Sequence, residues 1–146
     1  MTLDPSQYHF KEYIGEHFRP VNQFYKKQKH KGSASGDERV FIIEHDNDIV
    51  AAVRLVPFDD YYWLRSLYVE KTRQGQSLGS QLLAYMHEHI HHTIFCFPYL
   101  HLDHFYQQAE YVLVTPDNLP QNLEQLYQRY NRKGQGILAM AKYPPA

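Results

Sequence analysis

The 146 residues suffice for one domain, and a 43% hydrophobic share is enough apolar material to close a single core. Fifteen lysines and arginines against 16 aspartates and glutamates give a formal net charge of −1, far from the basic footprint of a nucleic-acid binder. No apolar run approaches the roughly 18 residues of a membrane span. The polar opening with Asp4 does not suit a secretory signal, and the single Cys96 cannot form an internal disulfide. A reducing compartment, the cytoplasm, is therefore the expected location.

Residues 16–28 read as a helix with Val21, Phe24 and Tyr25 at helical spacing, running into a polar loop that carries Gly32, Ser33 and Gly36. Residues 39–44 are a dense β-branched and aromatic run. Asp46, Asn47 and Asp48 then supply turn chemistry, and 49–56 is the return strand. Phe58, Asp59 and Asp60 reverse the chain into 61–70, which completes an antiparallel meander. The period then changes: Leu78, Leu82, Met86 and Ile90 mark one face of a helix. A short strand over 93–97 stops at Pro98, 100–109 reads as helical, and 111–114 as a further strand. Leu123, Leu126, Tyr127 and Tyr130 stripe a helix over 121–132, and Gly134 and Gly136 release a last strand, 137–142. This order predicts a mixed α+β domain rather than a regular βαβ array.

The most informative segment lies between the third meander strand and the Leu78 helix: Arg73, Gln74, Gly75, Gln76, Ser77, Leu78, Gly79, Ser80. Small residues at 75, 77, 79 and 80 let several backbone N–H groups point into one concavity at a helix start, where the dipole also favours an anion. Arg73 adds a charge-assisted contact. A plain helix N-cap is the alternative. A Walker loop needs a lysine after its last glycine, and Ser80 stands there instead. A dinucleotide fingerprint needs three glycines opening a parallel βαβ unit, and this loop follows a meander.

With meander, loop and helix in place, the chain resembles the GNAT superfamily of N-acetyltransferases over roughly residues 40–140. The family's Gln/Arg-x-x-Gly-x-Gly/Ala loop is similar to Gln74 through Gly79, with Ser77 in place of the middle glycine. Leu67, Tyr68, Val69 and Glu70 resemble its fourth strand, and Phe105 through Tyr111 its Phe-Tyr-x-x-x-Gly-Phe segment, with Glu110 in place of the glycine. Tyr99 and Leu102 stand where the family often has Asn and Ala. The resemblance implies one GNAT-like domain over 1–146. Its mostly antiparallel mixed sheet would have about six or seven strands, splay between strands four and five, and be flanked by helices. Acetyl-CoA is the implied co-substrate, bound by Leu67, Tyr68 and Val69 on the strand and by residues 73 to 80 in the loop. An amine-bearing small molecule, peptide or protein is the implied acceptor, and a homodimer one possible assembly.

Direct acetyl transfer asks the protein to position two substrates, polarise the thioester, accept a proton and return one. The resemblance gives Tyr106 the role of general acid. A phenol of pKa about 10 stays protonated near neutrality and can serve a thiolate whose conjugate acid is near 8.5. The Val69 N–H is the candidate for polarising the carbonyl. Candidates for the base are Glu70, Asp103, His101 and His104, while Asp59 and Asp60 could draw in a cationic amine; no choice among them follows from the residues. The aromatic set Tyr61, Tyr62, Trp63, Phe97 and Tyr99 is available to line an acceptor pocket or to fill the core, and helix 121–132 to cap that pocket.

Ten histidines raise the question of a metal. His87, Glu88 and His91 fit the His-Glu-x-x-His pattern of zinc enzymes. The run ends a helix, where the dipole favours histidine without any metal, and none is expected. Three other readings remain beside the enzyme: a domain that binds acetyl-CoA or CoA without turnover, an acetyltransferase acting on charged tRNA, and a zinc hydrolase.

Overall fold

The computed structural model describes residues 6–134 and 136–145. Seven strands form one sheet in the order β1-β2-β3-β4-β5-β7-β6. In chain order the elements are β1 (His9–Glu12), α1 (Arg19–Lys27), β2 (Arg39–His45), β3 (Asp48–Pro57), β4 (Tyr61–Val69), α2 (Leu78–His89), β5 (Thr93–Cys96), α3 (Asp103–Gln108), β6 (Val112–Leu113), α4 (Gln121–Arg132) and β7 (Met140–Lys142). Every pairing is antiparallel except that of β4 with β5. The expected mixed sheet, with its break between fourth and fifth strands, is what the chain forms.

The sheet separates two faces. On one, Leu78, Leu82, Leu83 and Met86 of α2 and Tyr106 of α3 pack on Phe41, Val53, Leu55 and Leu64. On the other, α1 sets Val21, Phe24 and Tyr25 against Ile42 and Ala52, while α4 sets Leu123 and Tyr127 against Trp63 and Phe95. The four-residue recurrence in α2 and the stripe in α4 translate directly into these buried faces. Between α1 and α4 part of β4 is left uncovered, and that gap becomes the site.

Several elements differ from expectation. β1 carries one apolar residue among four and has no alternation to read. It exists because its backbone pairs with β2 and Arg39 grips Glu12 through two bonds of 2.8 Å. α1 begins three residues late, with a proline in its first turn, where the missing N–H costs nothing. The segment 100–109 is a 3₁₀ turn, Leu100–Leu102, followed by the six residues of α3. The last strand is short because Ile137 makes only an isolated bridge to Tyr99 before β7 begins.

Candidate active site

β4 and β5 run side by side from the pair of Tyr61 with Thr93 to that of Leu64 with Cys96, and no further. Beyond that point β5 turns away at Pro98 and residues 65–69 of β4 lose their neighbour. Glu70 N–H donates to the Val50 carbonyl at 2.8 Å, so 50 and 70 are a hydrogen-bonded pair. The next pair, Ala51 with Val69, must then be the non-bonded kind, and the N–H and carbonyl of Val69 turn away from β3. The carbonyl is taken by Gln74 Nε2 at 2.9 Å.

A register shift interrupts the β3–β4 ladder between Ala52 and Arg54, where Ser66 takes φ 59°. A serine in the left-handed region needs outside support. Tyr25 supplies it by donating its hydroxyl to the Ser66 carbonyl at 2.7 Å, and Arg54 by donating Nη1 to Ser66 Oγ at 2.8 Å. Arg54 is buried and forked onto Glu38 through Nε at 2.8 Å and Nη2 at 3.0 Å.

The loop ahead of α2 has Gly75 at φ 85° and Ser77 at φ 65°, so Ser77 adopts the conformation that the glycine it replaces takes easily. No side chain caps α2, and its first internal bond is Gln81 N–H to the Ser77 carbonyl at 3.0 Å. The N–H groups of Leu78, Gly79 and Ser80 thus have no partner within the helix. Arg73 stands beside this end, donating Nε to Glu70 at 3.2 Å and Nη1 to the Tyr8 hydroxyl at 3.2 Å. Glu110 likewise sits at φ 72°, the left-handed turn that the family's glycine would occupy.

A cavity of about 650 Å³ opens where the strands part. Leu67, Tyr68, Trp63, Phe97, Tyr99, Leu102 and Tyr106 line it from the sheet and α3, Tyr130 from α4, and residues 29–32 from the loop after α1. Tyr106 is 6% exposed, and burial pushes its phenol above the ordinary tyrosine range. None of the sequence-derived base candidates Glu70, Asp103, His101 or His104 lines the cavity. Glu70 binds Arg73, and Asp103 accepts from Gln107. Asp59 and Asp60 are exposed at the far end of β4. Of the aromatic set, Trp63, Phe97 and Tyr99 reach the cavity; Tyr61 stacks on Phe58 instead, and Tyr62 lies beside Arg39.

A family model described as an acetyltransferase (GNAT) domain matches residues 36–131, well over half of the chain. The chain belongs to the GNAT acetyltransferase family. Among solved structures, N-acetylglutamate synthase from Neisseria gonorrhoeae, complexed with coenzyme A and N-acetyl-glutamate, is similar at 15% identity and TM-score 0.64. That match covers 96% of this chain and 36% of the synthase, so this chain spans little more than a third of that protein's length. The ribosomal-protein-S18-alanine N-acetyltransferase of Escherichia coli matches at 13% identity and TM-score 0.69, covering 96% of each chain. An acyl-CoA N-acyltransferase from Pseudomonas aeruginosa matches at 14% and 0.66, covering 93% of this chain and 99% of its own. At these identities the likeness is one of fold. No curated protein sequence matches.

The structure also brings to the cavity residues that the sequence did not single out for the site: Lys29, His30, Lys31 and Arg65, with Arg54 and Glu38 behind it. For Arg54 and Arg65 the signal is a charge inside a run that otherwise reads as a buried strand, IVAAVRLV and YYWLRSLYV; Lys29, His30, Lys31 and Glu38 lie in a polar stretch that carries no such signal. Gly32 N–H donates to His30 Nδ1 at 2.9 Å, which leaves the neutral ring's proton on Nε2. Burial, with Arg54 and Arg65 nearby, holds His30 below the usual histidine range.

The His-Glu-x-x-His pattern does not come together as read. α2 ends at His89, so His91 lies beyond the helix, and His87 shares a 2.9 Å hydrogen bond with the Tyr111 hydroxyl. Among the described residues no three His, Cys, Asp or Glu side chains gather as a metal-binding group, and no helix is long and apolar enough to cross a membrane. Burial, followed by the charge of Lys142, pushes His87 down to about 4. Between about pH 6.5 and 4 the unfolded chain therefore takes up a proton at His87 that the folded chain refuses, and stability falls as pH falls through that window. We predict a melting temperature that declines over this range, and less steeply for His87→Gln. Parallel slopes for the two proteins, followed by thermal scans at half-unit steps, would show that His87 titrates normally.

Proposed function

We propose that the protein transfers an acetyl group from acetyl-CoA to a primary amine by direct attack in a ternary complex. The observation that carries this reading is the parting of β5 from β4 after Leu64, which opens the strand edge beside the uncapped start of α2. The residues present fit such a co-substrate. Amide groups of a pantetheine arm can pair with an open strand at Leu67, Tyr68 and Val69 as an added peptide strand would. Arg73 and the N–H groups around Gln74, Gly75, Gln76, Ser77, Leu78, Gly79 and Ser80 suit a pyrophosphate.

When bound, acetyl-CoA supplies an activated acyl group on a thiol leaving group. The Val69 N–H, turned away from β3, is oriented to polarise the acyl carbonyl. The Tyr106 hydroxyl, kept protonated by burial, gives its proton to the departing sulfur. Among the described residues the cavity lining holds no carboxylate, and the lone pair of His30 Nδ1 is taken by the Gly32 N–H, so the acceptor's proton leaves through water. That same lack supports a second reading, an acetyl-CoA-binding domain without turnover. The lone buried Cys96 fits a reducing compartment, and the cytoplasm is the proposed location.

Calorimetric titration with acetyl-CoA and CoA tests the reading, alongside two variants. A Cβ at Gly79 would meet Phe105 at 3.5 Å and Val69 at 3.7 Å, ordinary contacts that Gly79→Ala can make. Gly79→Glu adds a negative charge where phosphates are to bind, and we expect its affinity to fall at least about 100-fold, against a few-fold for alanine. Equal affinities in the two variants would move the phosphates elsewhere. No binding by the wild-type protein would end the proposal, and binding without thiol release from any amine would favour the second reading.

A further inference from the structure

Arg65 is the first β4 residue beyond the last pairing with β5, on the face that α1 and α4 leave uncovered. Its guanidinium carbon lies 4.3 Å from the Trp63 ring centroid, and Nη2 donates to the Tyr130 hydroxyl at 3.1 Å. The planar group is thus fixed in place with most of its donors unspent. No carboxylate pairs with it among the described residues. Across the cavity stand Lys29 and Lys31, so the charged side chains of the described lining are cations. A half-buried guanidinium with no counter-ion disfavours a polycationic acceptor and favours an anionic one.

We propose that the acceptor is a small primary amine that also carries a carboxylate, and that Arg65 selects it by forked hydrogen bonding. This rests on the acyl-transfer reading above. One guanidinium presents one planar fork, which matches a carboxylate. The aromatic wall of Trp63, Phe97 and Tyr99 receives the rest of the molecule. The surrounding cations also favour the neutral form of the amine, the form that attacks, which lightens the demand for a base where the lining holds no carboxylate. The step is balanced: the amine nitrogen bonds to the acyl carbon, the carbon–sulfur bond breaks, the sulfur takes a proton from Tyr106, the amine proton passes to water, and water returns a proton to the Tyr106 oxygen.

The test is kinetic, on the full chain at saturating acetyl-CoA, with amino acids paired against their amides (leucine with leucinamide, phenylalanine with phenylalaninamide), with glycine against aminomethylphosphonate, and with spermidine. We expect kcat/KM at least about 10-fold higher for each acid than for its amide. Arg65→Met should bring that ratio near one, chiefly by raising KM for the acids, and Arg65→Lys should restore part of it. Calorimetry should give one Kd for acetyl-CoA in all three proteins. A wild-type preference for amides or spermidine overturns the inference, as does an unchanged ratio in Arg65→Met; a preference for the phosphonate over glycine overturns the carboxylate. If no acceptor turns over, titrating the same pairs into CoA-loaded protein decides: acids bound through Arg65 support the proposal, and no acid bound defeats it. Failure of wild-type protein to bind acetyl-CoA would instead remove the acyl-transfer reading on which it stands.

Discussion

Tyr106→Phe is expected to lower kcat for acetyl transfer at least about 100-fold while leaving the Kd for acetyl-CoA nearly unchanged. The phenol sits on α3, lines the cavity and is almost fully buried. Burial lifts it above the ordinary tyrosine range, so it remains protonated through neutral pH and is available as a donor. Phenylalanine keeps the ring's edge-on contacts with Phe105 at 5.1 Å and Tyr111 at 5.4 Å, so the fold around it should hold. Single-turnover thiol release separates the two roles. A variant that binds acetyl-CoA normally but releases thiol slowly has lost a proton donor. One that releases thiol at the wild-type rate shows that Tyr106 is a packing residue, and the acid must be sought elsewhere in the cavity.

Arg54→Ala and Glu38→Ala should each destabilise the protein by about 3–5 kcal/mol. The two side chains are 6% and 9% exposed, so removing either leaves the other as an unpaired buried charge. For a chain of this size that corresponds to a melting temperature lower by roughly 10 °C or more. A double substitution, Arg54→Met with Glu38→Met, removes both charges at similar volume and should recover much of the loss. It should not recover full activity, because Arg54 also holds Ser66 and hence the bulge that sets the free edge of β4. Single variants melting within two or three degrees of wild type would mean that water reaches the pair and that the bulge is supported by Tyr25 alone.

The sequence by itself determined the elements whose signal is local. The recurrence from Leu78 to Met86 fixed which face of α2 is buried. The stripe from Leu123 gave α4 with its bounds, and the turn residues at 46–48 and 58–60 set the meander. The small residues from Gly75 to Gly79 marked the turn into α2, because conformational freedom and a helix start are both written in consecutive residues. Two further positions were visible as departures from a family pattern, Ser77 and Glu110, yet only the fold shows both in the left-handed conformation that glycine would take.

Tertiary structure decided what depends on distant segments meeting. β1 has no pattern of its own and is held by β2 and by Arg39. The cavity exists because β5 diverges from β4 after four paired positions, and its walls come from the loop after α1, from β4, from α3 and from α4. Base candidates chosen for their closeness to the loop or to α3 in sequence therefore fell outside it, while His30 and Arg65, 35 positions apart in the chain, came together across it. Periodicity reports which way a side chain faces; which charges share an enclosed space is settled only when the strands part and the helices leave one stretch of sheet uncovered.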